Sequence, residues 1–190
     1  MNEPEEPSRG LWRPPFWLGF VWGFAEGTLF FIIPDIVLSW AALAGAKCGA
    51  KTLGAILLGA VVAGLCLHTW ATFQPEASRS AVAAVPWVRT AMFEKVQTDY
   101  ETHGISGILM GPASGIPYKV YAVLAPPFCP AGPFALISIV ARAERMALTW
   151  VFFTALGLIF RRWLVDHRHL TVTLFAAFWI VVYAFYWTMI

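Results

Sequence analysis

Among the ionisable residues that lie inside otherwise apolar stretches of the chain, five are candidates for chemistry: Glu26, Asp35, Lys119, Arg142 and Arg145. A charge surrounded by hydrocarbon is costly unless it is paired, hydrated or neutralised. Such residues therefore face polar interiors and mark routes for ions, protons or charged groups. The carboxyls offer reversible protonation, and the lysine and arginines offer binding of anions.

The two carboxyls each have two interpretations. Glu26 stands well inside the first apolar segment, where a carboxyl facing a cavity could take up and release a proton. Alternatively, the segment is shallow and Glu26 reaches water. Asp35 directly follows Pro34 at a break in the same segment. It either caps the half-helix that begins there or takes part in proton transfer, and the two roles are compatible.

The arginines have a similar ambiguity. Arg142 and Arg145 are three residues apart, so they share one face of a helix. Because arginine keeps its charge, each must find an anion or a carbonyl oxygen. The carboxylates within the apolar stretches are Glu26, Asp35 and Glu144. The pair therefore predicts either internal ion pairs or a docking site for a phosphate, whose oxygens match the guanidinium fork.

Two apolar segments, 16–46 and 105–127, are interrupted by the breaks at Pro34 and Pro117. The run GPASGIPYKVYAVLAPP in the second segment has four prolines and two glycines. Broken backbone is tolerated at membrane depth only where protein or a water-filled cavity surrounds it. Both segments are therefore predicted to be re-entrant hairpins. Lys119, just after the second break, could bind phosphate, pair with Asp35 or extend to water.

The composition indicates an integral membrane protein. The chain has 190 residues, of which 59% are hydrophobic and only 13% are charged, and its mean hydropathy is +0.67. Soluble domains have about 25% charged residues. The net charge of +2 is too small to suggest nucleic acid. Three cysteines without a CxxC pair predict neither a metal site nor a disulfide framework, and no cofactor is expected.

The remaining segments complete the predicted architecture. Clean spans are expected at 53–73, 133–160 and 170–190, with a basic loop at 161–169. The polar centre, 74–104, is expected to hold an amphipathic surface helix, because apolar residues recur there every four positions. These residues are Val88, Met92, Val96 and Tyr100. The prediction is an all-α integral membrane protein with two opposed re-entrant hairpins, about three transmembrane helices and one amphipathic surface helix.

The basic residues favour one orientation in the membrane. If both interrupted segments are hairpins, seven basic residues fall on one side of the membrane, and the opposite loop has three basic residues outweighed by four acids. The seven are Arg9, Arg13, Lys47, Lys51, Arg161, Arg162 and Arg168. An excess of Lys and Arg marks the cytoplasmic side. The acidic, Pro-rich residues 1–15 are therefore predicted to be a cytoplasmic tail, before a membrane domain at 16–160 and a basic loop with a final helix at 161–190.

Two stretches carry a resemblance to a known family. SGIPYKVYAVLAPPF, followed by FALISIVARAERMAL, resembles the second hairpin and following helix of the DedA family of VTT-domain, or SNARE-associated, membrane proteins. The combination of IPYKV with Arg142 and Arg145 is closest to the YqaA-type branch. FAEGTLFFIIPDIVLSWAALAG is similar to the first hairpin. The resemblance covers roughly residues 20–160, with departures at Ala141, where Gly is usual, and at Ala125–Pro126.

The resemblance implies a lipid carrier of a bacterial inner membrane. Its expected substrates are anionic lipid headgroups, of a phospholipid or a polyprenyl phosphate, moved between leaflets in support of envelope integrity. Protons are the expected coupling ion, and an oligomer is compatible with the sequence. The alternatives are a membrane scaffold that transports nothing and a proton-coupled exporter of small solutes or cations. An intramembrane protease at Ser114 is disfavoured because GPASG lacks the required pattern, so no enzyme is expected.

Overall fold

The computed structural model describes residues 11–30, 33 and 35–188, and within these residues the protein is entirely helical. Most of residues 1–15 and the break at Pro34 lie outside the described residues. The helices are α1 (Phe16–Gly27), α2 (Asp35–Ala44), α3 (Ala46–Phe73), α4 (Pro75–Ala83), α5 (Thr90–His103), a 3-10 helix (Gly104–Met110), α6 (Gly111–Ser114), α7 (Tyr118–Leu124), α8 (Ala131–Ile159), α9 (Arg161–Asp166) and α10 (Arg168–Thr188). The predicted all-α class is confirmed.

Two helices of the described chain are long and apolar enough to cross a membrane. They are Ala46–Phe73 and Arg168–Phe185. Helix α8 has 29 residues, so it is about 43 Å long at 1.5 Å per residue. Its centre carries Arg142, Glu144 and Arg145, which lower its hydropathy. Length alone would let α8 cross, but its central charges must be sheltered by the rest of the protein.

Helices α1 and α3 run in the same direction, side by side. Gly19 of α1 lies against Thr52 of α3, and Gly27 lies against Ala63, so residue numbers increase together along the contact. The chain must therefore turn back between them, and α2 is the returning segment. The indole Nε1 of Trp40, near the end of α2, donates a hydrogen bond of 2.9 Å to the carbonyl before α1 at Trp12. Helices α1 and α2 thus run in opposite directions, and we call these two helices the first hairpin.

The second interrupted segment also doubles back on itself. Gly115 has the left-handed backbone conformation (φ 70°) that ends α6, and α7 begins three residues later. Gly111 lies against the ring of Tyr121, so α6 and α7 are antiparallel neighbours. Helix α7 is buried along most of its length and packs on α3, where the Tyr118 ring fills the space beside Gly64. The largest apolar core of the described protein surrounds α7.

The predicted amphipathic helix exists as α5, but its buried face differs in detail from the prediction. The buried residues of α5 are Phe93, Val96, Asp99 and Tyr100. Val88 and Met92 are only half-buried. This face packs on α7 and the 3-10 helix of the same chain. The apolar stripe of α5 is therefore covered by protein, which explains why a carboxylate, Asp99, can be part of it.

The predicted basic loop at 161–169 is wrong for most of its length. Residues Arg161–Asp166 form the short helix α9, and α10 begins at Arg168. Helix α10 contacts the rest of the chain through few residues: Phe175 meets Trp40 with ring centroids 4.9 Å apart. The Tyr183 hydroxyl accepts a hydrogen bond of 3.0 Å from the backbone of Ile33. Most apolar side chains of α10 are exposed, as expected for a helix surrounded by lipid.

Candidate functional site

A central cavity of about 190 Å³ lies where the first hairpin, the second hairpin and the middle of α8 meet. Its walls include four of the five predicted ionisable residues, Glu26, Lys119, Arg142 and Arg145, together with the break at Pro117. Asp35 joins the same cluster through Arg145. Residues far apart in sequence are thus brought to one place, between the end of α1, the start of α2, the start of α7 and the middle of α8.

Glu26 and Arg142 form a buried ion pair across 116 residues of sequence. Arg142 is 8% exposed and Glu26 is 13% exposed, so the pair is largely withdrawn from solvent. The Arg142 guanidinium also lies over the ring of Tyr118, 4.8 Å from its centroid. Its Nε is buried without a hydrogen-bond partner among the described residues. One donor of Arg142 therefore remains available to a ligand.

Asp35 and Arg145 form the second ion pair, with 3.2 Å between Arg145 Nη2 and Asp35 Oδ2. Thr149 donates a hydrogen bond of 2.7 Å to the other carboxylate oxygen of Asp35. Asp35 is the first residue of α2, where a negative charge complements the helix dipole. Arg145 is 47% exposed. This pair lies at the rim of the cavity, whereas Glu26 and Arg142 lie deeper.

Lys119 is the one cation of the cluster without a carboxylate partner among the described residues. It is 3% exposed, and its Nζ donates a hydrogen bond of 2.8 Å to the carbonyl oxygen of Phe30. The carbonyl satisfies one of three ammonium donors and neutralises no charge. Three cations and two carboxylates therefore share the cluster, and its formal charge is positive by one.

Two tyrosines complete the wall and tie it to its surroundings. The Tyr118 hydroxyl donates to Ser138 Oγ at 2.9 Å, and the Tyr121 hydroxyl donates to Asp99 at 3.0 Å. Asp99 is also paired with Lys95. The hydroxyls that line the cavity are therefore fixed in position. Both tyrosines line the cavity and also pack in the protein core.

Four polar residues of α8 form a stripe along one face of the helix. Ser138, Arg142, Arg145 and Thr149 are separated by four, three and four residues, which places them on one side. Ser138 and Thr149 were missed by sequence reasoning, although this spacing would have revealed them. Asp99 was missed because it lies outside the apolar segments.

His68 of α3 lies inside the protein although it stands near the end of an apolar helix. The ring is 5% exposed, hydrogen-bonded to the carbonyl of Cys129 at 3.0 Å and packed against Phe134. It therefore joins α3 to the start of α8 inside the protein. Ser114 donates to the carbonyl of Gly111 at 3.1 Å, within its own short helix.

The described residues contain no group of histidine, cysteine or acidic side chains arranged to hold a metal ion. Comparisons of the chain with protein-family models, with curated proteins and with solved structures gave no match. What the cavity does must therefore be argued from its own chemistry.

Proposed function

We propose that the protein is a multi-pass membrane protein that carries the anionic headgroup of a lipid, a phospholipid or a polyprenyl phosphate, between the two leaflets. The central cavity supports this most directly. Lys119 is buried there without a carboxylate partner, and Arg142 has an unused donor. A site with one surplus positive charge and free donors attracts an anion, and phosphate oxygens suit both lysine and arginine.

The lengths of the helices fit the proposed re-entrant topology. Helix α1 has 12 residues and α2 has 10, so they are about 18 and 15 Å long, against about 30 Å for the hydrocarbon core. Neither can cross it alone. In this topology α3, α8 and α10 cross the bacterial inner membrane, the two hairpins enter from opposite sides, and the N-terminus is cytoplasmic. The central charges of α8 then lie at the hairpin tips.

The proposed mechanism is an exchange of partners. A lipid phosphate entering the cavity competes with Glu26 for Arg142 and is held by Lys119. Protonation of Glu26 removes its negative charge and frees Arg142 for the phosphate, which couples binding to the proton gradient. Asp35 and Arg145 at the rim act in the same way during entry or exit. The acyl chains remain in the bilayer, so only the headgroup needs a polar path. The resemblance to DedA proteins favours the same function.

A membrane scaffold is the second candidate, and the pairing of Glu26 with Arg142 and of Asp35 with Arg145 favours it. Ion pairs that satisfy each other could serve only to hold the hairpins against α8. A scaffold would not require the uncompensated positive charge of Lys119. The same surplus disfavours the third candidate, a cation exporter, because a cation would be repelled from the cavity.

A translocation assay with matched variants separates these functions. The protein is reconstituted in liposomes containing a labelled phospholipid or polyprenyl phosphate, with and without a pH gradient. The variants are Lys119→Gln and the double substitution Glu26→Gln with Arg142→Gln, which keeps two polar groups able to hydrogen-bond. Arg162→Gln, at an exposed position of α9, is the control. A carrier loses at least about tenfold in rate in both cavity variants and keeps its rate in the control.

Each outcome selects one function. Loss of translocation in folded cavity variants, with a response to the pH gradient in the wild type, supports a proton-coupled carrier. The same loss without a gradient response supports passive exchange of lipid between leaflets and removes the proposed proton role of Glu26. A folded wild-type protein that moves neither lipid contradicts the carrier function and favours the scaffold.

A further inference from the structure

A second polar site lies at the end of the molecule where α1 and α3 begin and α8 ends. A cleft of about 670 Å³ there is lined by Arg13, Lys47 and Arg161, which come from the segment before α1, the first turn of α3 and the start of α9. We call it the basic cleft. No acidic residue is among its lining residues, and none of its three cations forms an ion pair with a described carboxylate.

An unpartnered hydroxyl also lines the basic cleft. Thr154 of α8 is 9% exposed, and its Oγ1 has no hydrogen-bond partner among the described residues. A threonine within a helix commonly donates to the carbonyl four residues earlier, as Thr72 does to His68. A buried hydroxyl without a partner costs free energy. An oxygen atom of a ligand in the cleft would satisfy it.

An apolar groove of about 460 Å³ adjoins the basic cleft. Its walls are side chains of α8, α9 and α10, among them Phe153, Leu156, Leu174 and Phe178. Leu43 and Leu164 line both the groove and the cleft, so the two lie side by side. A positively charged cleft with an unpartnered hydroxyl therefore borders a groove of apolar side chains.

We propose that this composite site binds an anionic phospholipid, with the phosphate in the basic cleft and an acyl chain in the apolar groove. Charge complementarity selects the anionic headgroup, since three cations without an acid would be left uncompensated by a zwitterionic one. A soluble anion would leave the groove unused. The bound lipid would join α10, which makes few contacts of its own, to α8 and α3. The inference rests on the proposed membrane placement but not on lipid transport.

Native mass spectrometry of the full chain in detergent tests the site directly. Dioleoylphosphatidylglycerol is compared with dioleoylphosphatidylcholine, which has the same acyl chains. The triple variant Arg13→Gln, Lys47→Gln and Arg161→Gln removes the charges of the cleft. Its matched control removes three exposed basic residues outside the cleft: Lys51→Gln, Arg162→Gln and Arg168→Gln. We expect retention of phosphatidylglycerol to fall at least about tenfold in the first triple variant and to stay within about twofold in the control.

Two further measurements assign the two halves of the site. Thr154→Val should raise the melting temperature of lipid-free protein and reduce the stabilisation by added phosphatidylglycerol, since it removes an unsatisfied hydroxyl that the lipid would satisfy. Phosphatidylglycerol with a photoreactive acyl chain should crosslink to residues 153–164 and 171–178. The corresponding phosphatidylcholine should crosslink there less.

The proposal has clear contrary outcomes. Equal retention of the two lipids, or equal losses in the two triple variants, would show that the cleft does not select the headgroup. Loss of a dimer in the first triple variant would assign the groove to a second copy of the chain. Arg161→Gln alone, at an exposed position, replaces the triple variant if that does not fold. None of these measurements depends on transport, so the site can fail while the carrier function holds, and the reverse.

Discussion

Arg142 makes the contact on which the stability of the central cavity depends most. Its partner Glu26 is nearly buried, so loss of the guanidinium leaves a carboxylate with no counter-charge. Lys119 differs, because its Nζ is bonded to a carbonyl and no described carboxylate depends on it. Substitution of Arg142 should therefore lower the free energy of unfolding more than substitution of Lys119, although both side chains line the cavity.

This difference predicts the stability of four variants. Arg142→Gln should lower the free energy of unfolding by about 3–5 kcal/mol, the usual cost of an uncompensated buried charge. Adding Glu26→Gln should recover most of that loss, because the remaining amides are neutral. Lys119→Gln should change stability little or raise it, and Arg162→Gln on exposed α9 is the control. Urea unfolding in detergent measures all of them, and a double variant no more stable than Arg142→Gln alone would contradict the pairing.

At this scale the sequence identified the ionisable residues of the cluster but not which ion pairs they form. The five ionisable residues were identifiable because charges in apolar segments are rare. The partners of the arginines were left open among Glu26, Asp35 and Glu144, because a contact across 116 residues depends on the packing of α1 against α8. Thr149, which orients Asp35, carries no charge, so only its helical spacing from Arg142 and Arg145 could have indicated it.

The helices place two of these charges against their own dipoles. Glu26 stands in the last turn of α1, where the helix end is partly negative, and Lys119 stands in the first turn of α7, where it is partly positive. Each placement is unfavourable within its own helix by a few tenths of a kcal/mol or more, so tertiary contacts must compensate. Local conflicts of this kind are concentrated at functional sites. The unfavourable placement of Glu26 and Lys119 within their helices is therefore a second reason, besides their burial, to propose that both residues have a functional role.

The position of Glu26 depends on the close contact of α1 with α3. A Cβ atom added at Gly23 would lie 2.2 Å from the backbone oxygen of Ile56, whereas one added at Gly54 would meet open space. Gly23→Ala should therefore force the helices apart and cost about 1–3 kcal/mol. Gly54→Ala should be neutral or slightly stabilising, since alanine favours the helix. Melting temperatures of the two variants in detergent provide the comparison, and equal values would contradict the close contact.

The elements themselves were predictable to different degrees. The boundaries between α1 and α2 and between α6 and α7 followed from proline and glycine, and α3 and α10 followed from long apolar runs. Helix α9 was expected to be a loop because Arg161, Arg162 and Asp166 make the segment polar, but charged residues form helices readily. The covering of α5 by α7 could not be read from α5 alone, because an apolar stripe does not say whether lipid or protein covers it.

At the scale of the whole molecule, three basic residues from distant parts of the chain meet at one end. The basic cleft brings together Arg13, Lys47 and Arg161, three of the seven residues expected on the cytoplasmic side. This grouping follows from the parallel α1 and α3, since both begin at the same end, and from α8 running back to it. If residues 16–46 crossed the membrane completely, Lys47 would lie on the opposite side from Arg13.

Labelling of single cysteines with a membrane-impermeant maleimide tests this arrangement in intact cells. Cys48, Cys66 and Cys129 are first replaced by alanine, and one cysteine is then placed at Lys47, Ser80 or Asp166, all exposed positions. We expect Ser80→Cys to react from outside, and Lys47→Cys and Asp166→Cys to react only after the cells are opened. The Lys47→Cys variant is the most informative of the three, because its labelling shows on which side of the membrane the first hairpin ends. Labelling of Lys47→Cys from outside, with Asp166→Cys still protected, would make residues 16–46 a full span and separate the cations of the basic cleft across the bilayer, contrary to the contacts of α1 with α3.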